Sequence, residues 1–199
     1  MVKRASYHHG DLRAALVDAA LALIAESGVE TLSVAEAARR TGVSPAAPYR
    51  HFPTRQALLK ATAIRAAELL TADLREAMVD TPADDPVEAL AQTAAAYVRF
   101  VVRHRAGFDL VFAEQLHDLD DAELQDAGRA LVDVSLSLAL DITHDAAAAL
   151  ALMERYVAAA HGYATLHLSG FLRQQRHSLD DLADGAAETT RILATAARR

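Results

Sequence analysis

The chain of 199 residues has no cysteine and no tryptophan, 5 prolines, 8 glycines and 5% aromatic residues. Without cysteine there can be no disulfide framework, no thiolate zinc or iron–sulfur site and no thiol nucleophile. Proline stops at Pro86, so the remaining chain has no residue that must interrupt a helix. No period-2 strand pattern, internal repeat or Gly-rich phosphate loop occurs. The longest run free of charged residues, 156–172, contains His161, Gly162, His167 and Gly170 and is too short and too polar to span a membrane. The opening MVKRASYHHGD lacks the apolar core of a signal peptide, so the sequence predicts a cytoplasmic chain.

What is present is apolar and helix-forming. Hydrophobic residues make up 52% of the chain, too many for a disordered polypeptide. Ala alone supplies 46 residues, and Ala loses no side-chain entropy on coiling. An all-α fold follows, and the length allows one domain or two small ones. The net charge of −7 hides an asymmetry. Residues 1–65 carry 9 Lys/Arg against 5 Asp/Glu, or +4, whereas 66–199 carry 11 against 22, or −11. A small basic module beside a larger acidic one is the pattern expected when one part meets nucleic acid.

Periodicity and caps predict the elements. Leu12, Ala15, Leu16, Ala19, Leu23 and Ile24 space an amphipathic helix over 11–27, with Gly28 as a left-handed C′ residue. Ser33 and Glu36 have capping-box spacing for a short helix that Thr41-Gly42 ends. Ser44-Pro45 predicts a second short helix, made irregular by Pro48. Thr54 caps a long helix over 55–79, and 80–86 is a loop. Further helices are expected at about 86–104, 107–116, 120–141, 145–169 and 179–197.

Two short helices across a Gly-containing turn form a helix-turn-helix, SVAEAARRTGVSPAAPYRHF, over 33–52. Val34, Ala37, Ala38, Val43, Ala47 and Phe52 can lock it from inside, while Arg39, Arg40, Tyr49, Arg50 and His51 face outward. A second helix of this size suits the major groove. The longer stretch SGVETLSVAEAARRTGVSPAAPYRHFPTRQALLKA resembles the DNA-binding domain of the TetR family of bacterial transcriptional regulators, from about Tyr7 to Ala61. The resemblance implies an all-helical homodimer, with an N-terminal reader of double-stranded operator DNA and a C-terminal domain that binds a small organic effector and dimerises. It places the DNA-binding domain at 1–54 and the C-terminal domain at 55–199, with helix 55–79 linking them. Repression, relieved by the effector at a palindromic operator, is the family habit.

Carried over residue by residue, the resemblance places Ser33, Tyr49, His51 and Lys60 at phosphate-contacting positions, which set register rather than sequence choice. Ser44, Pro45, Ala46 and Ala47 begin the recognition segment, where the alanines can offer only methyl contacts. Base readout then falls on Arg50, with Tyr49 assisting, and Lys3 and Arg4 could form a basic arm. The helix YVAAAHGYATLHLSG resembles a C-terminal subgroup marked by Trp and His-Gly, although Tyr156 is the nearest aromatic to the missing Trp.

The residues themselves suggest two further assignments. Tyr97, Phe100, Phe108, Phe112, Met153, Tyr156 and His161 are candidates to line an effector cavity, with acidic surroundings that favour a neutral or cationic molecule. Helix 145–169 is apolar nearly all round, so Leu152, Tyr163 and Leu166, with Leu182, Ala186 and Leu193 of the last helix, are expected at a four-helix dimer interface. No cofactor or metal is expected, since His161 and His167 are six apart and no HExxH occurs. No convergent nucleophile and base are found, so the chain is not read as an enzyme. The alternative reading is a helical binding or enzyme module with a non-functional helix-turn-helix.

Overall fold

The computed structural model describes residues 9–105, 110, 116, 119–171 and 177–198. Seven α-helices occur among them: α1 (His9–Ser27), α2 (Val34–Thr41), α3 (Arg55–Ala77), α4 (Pro86–His104), α5 (Ala122–Thr143), α6 (Ala146–Leu168) and α7 (Leu179–Ala197). Two 3₁₀ turns, Val29–Thr31 and Pro48–Arg50, flank α2, and no strand occurs among the described residues. Apart from Leu110 and Leu116, both buried, the helix expected over 107–116 lies outside the described residues, as do Lys3, Arg4, Phe108 and Phe112.

Short polar side chains start the helices, as their ability to accept from free N–H groups predicts. Thr54 Oγ1 accepts from Ala57 N, Asp85 from Glu88 N, Asp121 from Leu124 N and Asp145 from Ala148 N. Ser178 and Asp181 form a complete capping box. At Ser33 only half of the expected box is present. The Ser33 hydroxyl accepts from Glu36 N, but the Glu36 carboxylate turns forward to Arg39 and Arg40. Charge-assisted bonds to guanidinium outcompete one neutral backbone N–H.

Two expectations of turn geometry also change. Gly28 has φ 85° and ψ 166°, an extended conformation open essentially to glycine alone rather than the left-handed helical one. The helix expected after Ser44 is a turn followed by the 3₁₀ segment Pro48–Arg50. Pro48 has no N–H to give to Ser44, and its ring crowds the carbonyl four residues back. Ala47 N donates to Ser44 O instead (3.0 Å), and His51 N and Phe52 N both donate to Pro48 O (2.9 and 2.8 Å).

Internal packing divides the chain into two compact units: Met1–Ala66 with His104–Leu124, and Ala67–Arg103 with Gln125–Arg199. The division runs inside α3, the helix expected to link the two domains, and its first twelve residues belong to the first unit. In the first unit, α1 packs on α2 and on both 3₁₀ turns. Leu16, Ala20 and Ile24 are buried, as are Ala37, Phe52 and Leu58. In the second, α6 packs on α7, and Ala91 and Ala95 of α4 cluster with Ala183 and Ala187 of α7. Small side chains let those backbones approach closely. Gly185 serves the same end, because a Cβ there would lie 3.1 Å from the Tyr163 ring.

Candidate nucleic-acid interface

The α2–turn–3₁₀ segment is built by local chemistry. Gly42 ends α2 in the left-handed conformation (φ 69°, ψ 21°) and gives its N–H to Arg39 O, turning the chain toward Ser44. Buried Pro48 and Phe52 then anchor the next segment from below. Its outer side shows Ser44, Pro45, Ala46, Tyr49 and Arg50 exposed, with Ala47 and His51 half-buried. Ser33 is half-buried at the start of α2. Tyr49 is 49% exposed although it is a large hydrophobic ring.

The basic side chains of this unit are used unequally. Arg39 forks onto Glu36 (2.8 and 2.6 Å). Arg40 forks onto Glu26 of α1, with Nη1 donating at 2.7 Å and Nη2 donating to the second oxygen. The Arg40 and Arg39 guanidinium groups hold the Glu26 and Glu36 carboxyls below their usual range. Arg13 sits 5.5 Å above the Phe52 ring centroid. Arg55 donates to the Leu32 and Val29 carbonyls. Lys60 donates to Asp121 Oδ2 at 2.5 Å, and this bond keeps the Asp121 carboxyl low. Arg50 forms no ion pair among the described residues. Lys60, placed with the phosphate contacts by resemblance, is thus held by a carboxylate of its own chain, and the sequence reading missed Asp121. Only the cap spacing ahead of α5 marks Asp121 in the sequence, and a pair 61 residues apart leaves no local signature.

The expected effector residues lie in the second unit. Phe100 and Tyr156 are buried to within 2% and Tyr97 to 6%, while Met153 and His161 are half-buried. Tyr97 Oη and His161 Nδ1 are hydrogen-bonded at 3.0 Å, with the rings edge-on. Ser135 donates to Tyr156 Oη (3.3 Å), and Thr93 is its second hydroxyl partner. Burial raises the Tyr156 phenol above its ordinary pKa. Tyr156 therefore fills the core with its hydroxyl already satisfied.

The expected dimer set divides. Leu152, Leu182 and Ala186 are buried inside the protomer and have no surface to give a partner. The sequence pattern could not separate a face turned to the core from one turned to a second chain, because α6 is apolar on both. Tyr163 is half-buried over Gly185, with its hydroxyl 3.2 Å from Thr189 Oγ1. Leu193 is half-buried, Leu166 is exposed, and Leu150 and Ile192 are further exposed aliphatic residues on the same two helices.

A capped helix, a glycine turn and a short exposed segment anchored by buried residues define a helix-turn-helix transcriptional regulator. The matches to known proteins make the class specific. Residues 16–62 match the profile of bacterial regulatory proteins of the tetR family, and 90–190 match the tetracyclin repressor-like C-terminal domain. The chain belongs to the TetR family. A protein with unknown function from Rhodococcus sp. RHA1 is 32% identical, with 95% of this chain and 98% of that one covered and a TM-score of 0.76. A TetR-family transcriptional regulator from Streptomyces coelicolor shares the fold at 20% identity, covering 96% and 83%, with a TM-score of 0.71. The fatty acid degradation regulator FadR from Bacillus halodurans does so at 14% identity, covering 89% and 97%, with a TM-score of 0.66. No curated protein sequence matches the chain. No helix among the described residues is long and apolar enough to cross a membrane, and they contain no cluster of potential metal ligands.

Proposed function

We propose that the chain is a repressor that binds a palindromic operator as a homodimer in the cytoplasm, has no catalytic activity, and is released by a small organic effector. The observation that carries this reading is the segment 44–51. It is rooted by buried Pro48 and Phe52 and presents exposed Tyr49 and Arg50 on its outer side. Arg50 reads a guanine edge, Tyr49, His51 and Ser33 touch the phosphates, and Ala46 and Ala47 meet thymine methyl groups. Two such segments related by a two-fold axis require a palindrome. Leu166, Tyr163 and Leu193, joined by Leu150 and Ile192, form the dimer face. The effector binds in the second unit beside Tyr97 and His161, whose ring nitrogens and hydroxyl supply the polar contacts within an aromatic and aliphatic surround.

Selection of duplexes by the full-length protein from a random-sequence pool, followed by footprinting, tests the reading. An enriched palindrome protected on both half-sites is the expected result. Failure to enrich any sequence overturns DNA recognition. Enrichment of a single asymmetric half-site overturns the dimer. A thermal-shift screen of organic molecules against the same protein, followed by release of the selected duplex, tests the effector arm.

A further inference from the structure

Arg55 is the first residue of α3 and directly follows the recognition segment and its Thr54 cap. Its guanidinium turns backward along the chain. Nε donates to Leu32 O at 3.0 Å and Nη2 to Val29 O at 2.7 Å, with a Glu30 oxygen 3.9 Å away. Both acceptors belong to the link between α1 and α2. Val29 O already closes the 3₁₀ turn by accepting from Leu32 N, and Leu32 directly precedes Ser33, the cap of α2. One side chain thus joins the backbone just before the helix-turn-helix to the backbone just after it, across 23 and 26 residues.

We propose that Arg55 is a positioning residue for DNA recognition, fixing the recognition segment relative to α2 without itself touching DNA. This inference rests on the DNA-binding reading above. The geometry suits arginine alone. Its planar fork carries donors at fixed spacing that can meet two carbonyls, whereas a lysine ammonium is a single point charge on a flexible stem. The neighbouring elements cannot do this work by themselves. The segment 44–52 is a turn and a 3₁₀ stretch rather than a rigid α-helix, so its direction depends on what holds its ends. Pro48 holds its middle and Phe52 its C-terminal end in the core. That same end runs through Pro53 and Thr54 into Arg55, whose bonds to Val29 O and Leu32 O tie it to the start of α2. Base readout needs side chains kept within about 0.5 Å of the productive geometry, so release of this staple disturbs Arg50 before it unfolds anything.

The test compares the full-length wild type with Arg55→Gln and Arg55→Lys on a duplex selected by the wild type and on a scrambled duplex, over a range of salt concentrations. Both variants are expected to lose about tenfold in affinity for the selected duplex, the loss of a charge-assisted pair of hydrogen bonds, and little for the scrambled one. For Arg55→Lys the salt slope is expected to match the wild type. Rescue by lysine, or a salt slope lower by about one for Arg55→Gln with equal losses on both duplexes, makes Arg55 a phosphate contact and overturns the proposal. Unchanged affinity in both variants overturns it too. If the wild type selects no duplex, the DNA-binding reading fails, an outcome separate from these. Should either variant not fold, nitrogen NMR of the wild type decides. The Arg55 Nε–H resonance is expected to be protected and to stay in place when the duplex is added, and its loss of protection on binding overturns the proposal.

Discussion

The two units put charge and bulk to opposite uses. In the first, guanidinium and ammonium groups are consumed within the unit: Arg39 by Glu36, Arg40 by Glu26, Arg55 by carbonyls and Lys60 by Asp121. The +4 counted over residues 1–65 already sets Glu26 and Glu36 against their arginines, but it omits Asp121, which lies outside that stretch and takes Lys60. Arg50 forms no ion pair among the described residues. In the second unit, ion pairs clamp helix to helix. Arg191 forks onto Glu88 (2.7 and 2.9 Å) and Arg99 reaches Asp180 (3.1 Å), both joining α4 to α7. Its interior holds Phe100 and Tyr156 among alanines. The lesson is that a net charge counted along one stretch of sequence leaves out the acids that folding brings to it from elsewhere in the chain.

The strongest way to break this contrast is Tyr156→Ala. It leaves a cavity and removes the acceptor of the Ser135 hydroxyl, so it should destabilise folding by about 3–5 kcal/mol in chemical denaturation. Tyr156→Phe, which keeps the ring, should lose only about 1 kcal/mol. If Tyr156→Ala unfolds at the wild-type midpoint, the second unit is not built around this side chain.

Next in size is Arg50→Ala, expected to lose about 1–3 kcal/mol of specific DNA binding and to relax base preference, with the melting temperature unmoved. An equal loss on specific and scrambled duplexes would place Arg50 among the phosphate contacts. Ile192→Asp sharpens the contrast from the other side. Ile192 is 64% exposed on α7, so a carboxylate there leaves the protomer folded but becomes unpaired and buried in a dimer. Sedimentation should show at least a tenfold weaker dimer, on the order of 1–3 kcal/mol. A variant as tightly associated as the wild type puts the interface elsewhere.

The smallest effect is the pH response of the α4–α7 clamp. The Arg191 guanidinium, helped by Gln92, lowers the Glu88 carboxyl from 4.5 to about 2. A pKa lowered in the folded state adds stability above the unfolded value, and this is lost as pH falls from about 4.5 toward 2. Both side chains reach solvent, so screening leaves roughly 1 kcal/mol. Glu88→Gln should flatten that part of the stability-versus-pH curve and little else.

Features set by neighbours in the chain were legible in the sequence. The caps at Ser33 and Thr54, the break at Gly42 and the limits of α4 and α7 depend on adjacent residues. Pro48 was legible as an irregularity, but its strength was not, because choosing between a bent α-helix and a 3₁₀ turn requires knowing which carbonyl is free to accept. Glu36 went the wrong way for the same reason: the sequence supplied two partners, and only their competition decides. Leu152, Leu182 and Ala186 show the limit of periodicity, which marks a face as apolar without saying whose chain covers it. Asp121, Glu26 and Ser135 were missed outright, since each acts on a residue that only folding brings near.

The prolines at 45 and 48 matter beyond the shape they impose. A chain restricted at two of four consecutive positions has fewer conformations to surrender. Segments that fold on contact show a large enthalpy gain offset by an entropic loss. Here that loss is met largely during folding of the protein, before any DNA is present. The association step is then closer to the meeting of two rigid bodies, with a rate set more by diffusion and orientation than by waiting for the segment to order.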